Sequence, residues 1–228
     1  MQTIQLKLSD LKIKKEEIYL HLGYGGTLPD NSMLQMIDII IEKAYQICKP
    51  QMGFKILNGE LIDSKTISVD GLSLRVGTVI CRHLSESTQF AVFLSTAGKE
   101  YEDYLNELRQ SGDIVSEFMA DAIGSEIAEA GVRYICKLVG EEATKSGLNA
   151  TSSYCPGHCV WKLTEQSLLF SLLPPEPCGI TLNDSCLMQP KKSVSGIIGI
   201  GENVVETPSE CDICTMKTCY KRRLPVTN

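Results

Sequence analysis

Residues 153–201 read SYCPGHCVWKLTEQSLLFSLLPPEPCGITLNDSCLMQPKKSVSGIIGIG. Two small-residue turns punctuate the stretch. At Pro156-Gly157 the chain turns tightly, and the missing Cβ of Gly157 leaves room for a ligand to approach the backbone. The turn stands just before a predicted helix over about Trp161 to Leu173, whose first free N–H groups would favour anionic or polar groups. The second turn, Lys192-Ser193-Val194-Ser195-Gly196, runs into an apolar strand at Ile197-Ile198. A single helix among loops rich in Pro, Gly and Cys, closing on a strand, points to a mixed α and β fold.

Before Gly147 the pattern alternates. Ile18-Tyr19-Leu20 predicts a short strand, followed by a turn at Gly23, Gly25 and Gly26. Pro29-Asp30-Asn31-Ser32 is a helix start, and Met33, Met36, Ile37, Ile40, Ile41, Ala44 and Ile47 recur at helical spacing until Pro50 ends the helix. Asn58-Gly59 and Asp70-Gly71 are hairpin turn signals inside two β segments, Phe54 to Ile62 and Thr66 to Leu74. The apolar run QFAVFLS at Gln89 to Ser95 predicts a central strand. An amphipathic helix is predicted over Glu100 to Arg109, and Asp113 can cap another running to about Glu142. In that second helix Ile114, Phe118, Met119, Ala122, Ile123, Ile127, Val132, Ile135 and Val139 are predicted to face the core. Asp121, Ser125 and Glu129 form one polar line on it, either a solvated face or the wall of a ligand cleft. These signals predict one α+β domain over residues 1–228, a twisted antiparallel or mixed sheet flanked by helices, with a Cys-rich C-terminal segment at 203–228.

Composition narrows the functions. The chain is 43% hydrophobic with net charge −6, globular and without the basic excess of a nucleic-acid binder. No apolar run is long enough to span a bilayer, and MQTIQLKLSD lacks the apolar core of a signal peptide, so the expectation is a cytoplasmic protein with no membrane partner. Without an export signal, ten cysteines favour metal or redox chemistry over disulfides. Cys211, Cys214 and Cys219 form C-x2-C-x4-C, and Cys178, in the Pro-rich loop PPEPCGI, is the favoured fourth ligand ahead of Cys155, Cys159 or Cys186. Zinc there would be structural; a [4Fe–4S] cluster could carry an electron. Lys217, Lys221, Arg222 and Arg223 would offset thiolate charge, or simply form a solvated tail.

Leu182, Ser185, Met188, Pro190, Ser193, Val194, Ser195 and Gly196 complete the pattern Leu-x-x-Ser-x-x-Met-x-Pro-x-x-Ser-Val-Ser-Gly. With it, the stretch resembles the activation domain of cobalamin-dependent methionine synthase, in a free-standing form. A second motif of that family, Arg-x-x-Pro-Gly-Tyr, is half kept: Pro156 and Gly157 match, whereas Ser153 stands at the Arg position and His158 at the Tyr position. The close match covers about 50 residues; earlier in the chain Ser95-Thr96-Ala97-Gly98 and the Asp121 helix agree only in layout. The resemblance implies an accessory of methyltransferase activity. Such a domain binds S-adenosylmethionine and docks on a partner that holds cobalamin, supporting reductive remethylation of cob(II)alamin with an electron donor. It places the ligand contacts at Ser153, Cys155, Gly157 and His158. Ser153 cannot make the paired hydrogen bonds an Arg makes to a carboxylate, so S-adenosylmethionine binding is expected to be weak or altered.

The chain lacks the Asp-x-His-x-x-Gly loop that ligates cobalamin, so a separate corrinoid protein is the expected partner. A metal-binding or electron-transfer protein that keeps the fold without the ligand is the alternative. Gly196-Ile-Ile-Gly199-Ile-Gly201 runs in the wrong order for a dinucleotide fingerprint, and no Gly-x-Ser-x-Gly elbow supports a hydrolase.

Overall fold

A computed structural model describes residues 1–205, apart from Gly26 and Cys159. Seven strands form one antiparallel sheet: β1 (Gln2–Gln5), β2 (Gln51–Leu61), β3 (Ile67–Val69), β4 (Leu72–Leu74), β5 (Gln89–Thr96), β6 (Asn149–Tyr154) and β9 (Ser193–Gly201). Their order is β4-β3-β2-β5-β9-β6, and β1 pairs with the start of β2. A separate pair, β7 (Thr181–Leu182) and β8 (Met188–Gln189), leads into β9. The helices are α1 (Lys15–His21), α2 (Asn31–Ile47), α3 (Thr78–His83), α4 (Lys99–Ser111), α5 (Ile114–Lys145) and α6 (Gln166–Ser171).

The sheet separates two cores. On one face α1, α2, α4 and α5 bury Ile18, Ile37, Ile40, Tyr101, Ile123, Ile127 and Ile135 against Met52, Phe93, Ile198 and Ile200. On the other, the β3–β4 hairpin, α3 and α6 bury Val69, Leu74, Ile80 and Leu169 with Trp161 against Phe90, Val92, Leu94 and Ile197. The alternation along β5 and β9, with neighbouring residues divided between the two cores, is the period of a strand covered on both faces. Helix α5 is buried around most of its circumference because the sheet covers one side while α1, α2 and α4 pack on it elsewhere.

Helix boundaries follow the predicted capping chemistry. The Asp30 carboxylate accepts from the Ser32 and Met33 amides at 2.9 and 3.0 Å and starts α2. Asp113 accepts from the Ser116 amide at 3.0 Å and starts α5. Asp70 and Gly71 turn β3 into β4, both at positive φ (52° and 81°), as a two-residue hairpin turn requires.

Four sequence expectations fail for identifiable reasons. Ile18-Tyr19-Leu20 lies in helix α1, not a strand; acidic Glu16 and Glu17 in its first turn and His21 in its last suit the helix dipole. Asn58-Gly59 lies inside β2 rather than at a turn. Gly59 is a close-approach site: a Cβ there would meet the Ser68 carbonyl at 2.2 Å. Ile114 and Phe118, at the first turn of α5, are 76% and 57% exposed, because the helix begins before it reaches the sheet. The helix expected over about Trp161 to Leu173 contracts to a 3-10 turn at Leu163–Glu165 and α6.

Candidate functional site

Strand β6 delivers the Pro156-Gly157 loop. It runs along β9, with Ser153 opposite Ile198 and Tyr154 opposite Ile197. A bulge between Ala150 and Ser153 sets the facing, and the Thr151 hydroxyl fills it by accepting from the Gly199 amide at 2.9 Å. Tyr154 enters the core away from α5, and its neighbours Ser153 and Cys155 therefore face α5. Cys155 packs on Gly196, where a Cβ would sit 3.0 Å from its sulfur and 2.3 Å from the Tyr154 carbonyl oxygen. The two halves of the motif region thus meet at Gly196, and a glycine is required for that contact.

The loop closes on itself. Gly157, at φ +87°, donates to the Trp161 carbonyl at 2.9 Å; His158 donates to Cys155 at 3.2 Å and Trp161 to His158 at 3.1 Å. These amides do not sit at a helix start, which corrects the expectation of free N–H groups there. Gly157 and His158 are exposed, whereas Cys155 and Pro156 are buried and Ser153 is half-buried. Trp161, 1% exposed, has an indole N–H with no partner among the described residues. Such a donor costs free energy unless something accepts from it.

Around the start of β9 a polar network fixes the second motif. Ser195 donates to the buried Gln166 side chain at 3.1 Å, and Gln166 donates to the Cys186 carbonyl at 2.7 Å. Ser193 bonds Thr96 at 2.8 Å and the Pro190 carbonyl at 2.6 Å, after a cis Gln189-Pro190 bond. The Lys191 amide donates to Glu102 at 2.7 Å. The Lys192 ammonium lies 2.7 Å from the Asp121 carboxylate and 3.1 Å from the Ser125 hydroxyl. Two members of the polar line on α5 are therefore engaged from the sheet rather than merely solvated. Sequence reasoning did not find the Lys192–Asp121 pair, because residues so far apart in the chain carry no local signal of contact.

Electrostatics around the loop favour neutral groups. His83 stacks on Tyr154, with ring centroids 6.2 Å apart, and burial, with the Arg82 charge, holds its pKa below the usual histidine value. Burial pushes the Cys178 thiol up to about 11. Cys178 lies in the core away from α5, where its sulfur faces Gly53, whereas Cys155 lies in the core beside α5. The sheet separates these two thiols, so they cannot serve one metal centre. No group of three metal-ligating side chains occurs among the described residues, and Cys211, Cys214, Cys219 and the less favoured Cys159 lie outside them.

The donor set fits S-adenosylmethionine in part. The exposed Gly157 turn offers a backbone surface for an adenosyl group, whereas the Trp161 indole N–H is buried in the core away from α5. Ser153 offers no charge for the amino-acid carboxylate. No helix among the described residues is long and apolar enough to cross a membrane.

The family described as "vitamin B12 dependent methionine synthase, activation domain" matches residues 78–205, more than half of the chain. The fold is similar to a crystal structure of the MetH reactivation domain bound to AdoHcy. The TM-score is 0.71 at 15% identity, covering 92% of this chain and 80% of that one. No curated protein matches by sequence.

Proposed function

The chain belongs to the activation-domain family of vitamin B12 dependent methionine synthase, and from that premise we propose that it is a free-standing activation component acting on a separate corrinoid methyltransferase. In this reading it supports reductive remethylation of cob(II)alamin, with S-adenosylmethionine as the methyl source and a cytoplasmic electron donor as the reductant. The observation that carries the proposal is the meeting of the two motif segments: Cys155 against Gly196, beside the polar line of α5. No Asp-x-His-x-x-Gly loop occurs in the sequence, so the cobalamin is assigned to the partner.

Bound at the loop, S-adenosylmethionine would supply an electrophilic sulfonium methyl. This chain's own part is to hold and aim the ligand, and none of its residues is assigned a covalent role. Gly157 admits the ligand to the backbone, and the exposed His158 replaces the family's Tyr with a ring that carries a hydrogen-bond donor. Ser193, Ser195 and Gln166 keep β9 in register beneath the loop.

The test is cob(II)alamin reactivation with an isolated corrinoid partner and reductant, with and without S-adenosylmethionine. The proposal expects methylcobalamin to form only when this protein and S-adenosylmethionine are both present. Reactivation that ignores the protein would overturn it. Calorimetry complements the assay: affinity for S-adenosylmethionine is expected to fall below that of a domain with the Arg, and tight binding would remove Ser153 from the argument.

A further inference from the structure

Lys192 is the side chain that the function above leaves unused. Its side chain is only 13% exposed, and its stem lies over Gly124, where a Cβ would meet the Lys192 Cγ at 2.8 Å. Its head touches Asp121 at 2.7 Å and Ser125 at 3.1 Å. Lys192 and Gly196 address the same side of the sheet, since Gly196 faces Phe93 and Cys155 in the core beside α5, while Lys192 reaches Gly124 on α5 itself. Ser153 also faces that side, by alternation with Tyr154. From Gly196 to Lys192 is four residues, about 13 Å along an extended chain.

We propose that Lys192 and Asp121 form the amino-acid subsite of this protein, receiving a zwitterion that Ser153 cannot grip; the proposal rests on S-adenosylmethionine binding as argued above. An α-amino acid carries a carboxylate and an ammonium side by side. The Lys192–Asp121 pair presents the complementary order of charges. An ammonium has three N–H donors, and contacts to Asp121 and Ser125 leave one for a ligand carboxylate. Asp121, whose side chain is 56% exposed, has acceptor capacity for the ligand ammonium. Tight packing of the stem on Gly124 holds the charge in place, so little side-chain freedom is lost on binding.

Calorimetry on the full chain separates the possibilities, with three probes: S-adenosylmethionine, its decarboxylated form and 5′-methylthioadenosine. Lys192→Met is expected to weaken S-adenosylmethionine roughly tenfold or more, the scale of a charged hydrogen bond, and to leave the two probes without a carboxylate unchanged. Asp121→Asn, at an exposed carboxylate, is expected to weaken S-adenosylmethionine and decarboxylated S-adenosylmethionine while sparing methylthioadenosine. Equal affinity of wild type and Lys192→Met for S-adenosylmethionine would overturn the subsite while leaving the ligand reading intact. Equal loss for all three probes would overturn it too, as structural damage. A wild-type protein that binds methylthioadenosine but not S-adenosylmethionine would refute the subsite directly; one that binds none of the probes would refute the ligand reading on which it rests.

Discussion

Gly196→Ala tests whether the two motif segments are one unit. The new Cβ would lie 2.3 Å from the Tyr154 carbonyl oxygen, 2.8 Å from Phe93 Cζ and 3.0 Å from the Cys155 sulfur. Real Cβ contacts begin near 3.0 Å, so the Tyr154 carbonyl must retreat by about 0.7 Å. A phenyl ring can tilt, but a carbonyl can retreat only by moving β6 away from β9 where Tyr154 pairs with Ile197. Overpacking against backbone belongs at the top of its usual range, about 3 kcal/mol. For a chain of this size that lowers Tm by roughly 6–12 °C. Circular dichroism melts and urea titrations measure the loss, and calorimetry on the folded variant at low temperature is expected to show weakened S-adenosylmethionine binding. Gly140→Ala is the control: nothing lies within 4 Å of its Cβ position on α5, so the variant should gain roughly 0.5–1 kcal/mol in helix propensity. A Gly196→Ala protein melting within about 2 °C of wild type would refute the claim that β6, β9 and the loop are closed on this glycine.

Four further outcomes follow from buried groups and from the tail. Glu126, 1% exposed, accepts from the Lys14 amide at 2.8 Å and pairs with Arg133, which is one-third exposed and keeps the Lys12 carbonyl, so Glu126→Ala should cost about 1–3 kcal/mol by leaving the part-buried Lys14 contact unmade, read from the urea midpoint. Burial raises the Glu126 pKa above its ordinary 4.5, so the folded chain holds a proton that the unfolded chain releases; this group's contribution to stability therefore falls as pH climbs from 4.5, and Glu126→Gln should remove that slope. Ser95 keeps a buried hydroxyl without a partner among the described residues, pressed against Gly131, and Ser95→Ala should gain about 1 kcal/mol in thermal stability. Anaerobically purified protein is expected to carry iron or zinc on Cys211, Cys214 and Cys219; a colourless, metal-free sample with free thiols would end that reading.

The long-range architecture was readable where local chemistry is strong. The Asp30 and Asp113 caps, the Asp70-Gly71 hairpin and the apolar run at Gln89 to Ser95 each depend on a few adjacent residues, and each forms as read. Ile18-Tyr19-Leu20 misled because three residues are too few to show a period, and what holds α1 on α5 includes the Lys14–Glu126 bond, 112 residues apart. Asn58-Gly59 misled because the glycine answers a neighbouring strand, not a turn. At the candidate site the motif residues were visible, but the facing of Ser153 was not, since it depends on a bulge filled by Thr151. Pairings such as Gln166–Ser195 and Lys192–Asp121 arise only when separate elements are brought together.

Strand β9 lies between β5 and β6, and glycines 196, 199 and 201 on it would place a Cβ 2.3, 2.2 and 2.2 Å from the nearest neighbouring atom. The Ser193–Gly196 end of the motif is thus built into the packed sheet rather than mounted on a loop. A library of variants scored by ligand binding alone would therefore confuse loss of protein with loss of the site across this strand. Separating the two requires normalising every score to soluble yield, and the informative positions become those around β9 outside the packed sheet, such as the exposed His158 and the proposed subsite residue Lys192.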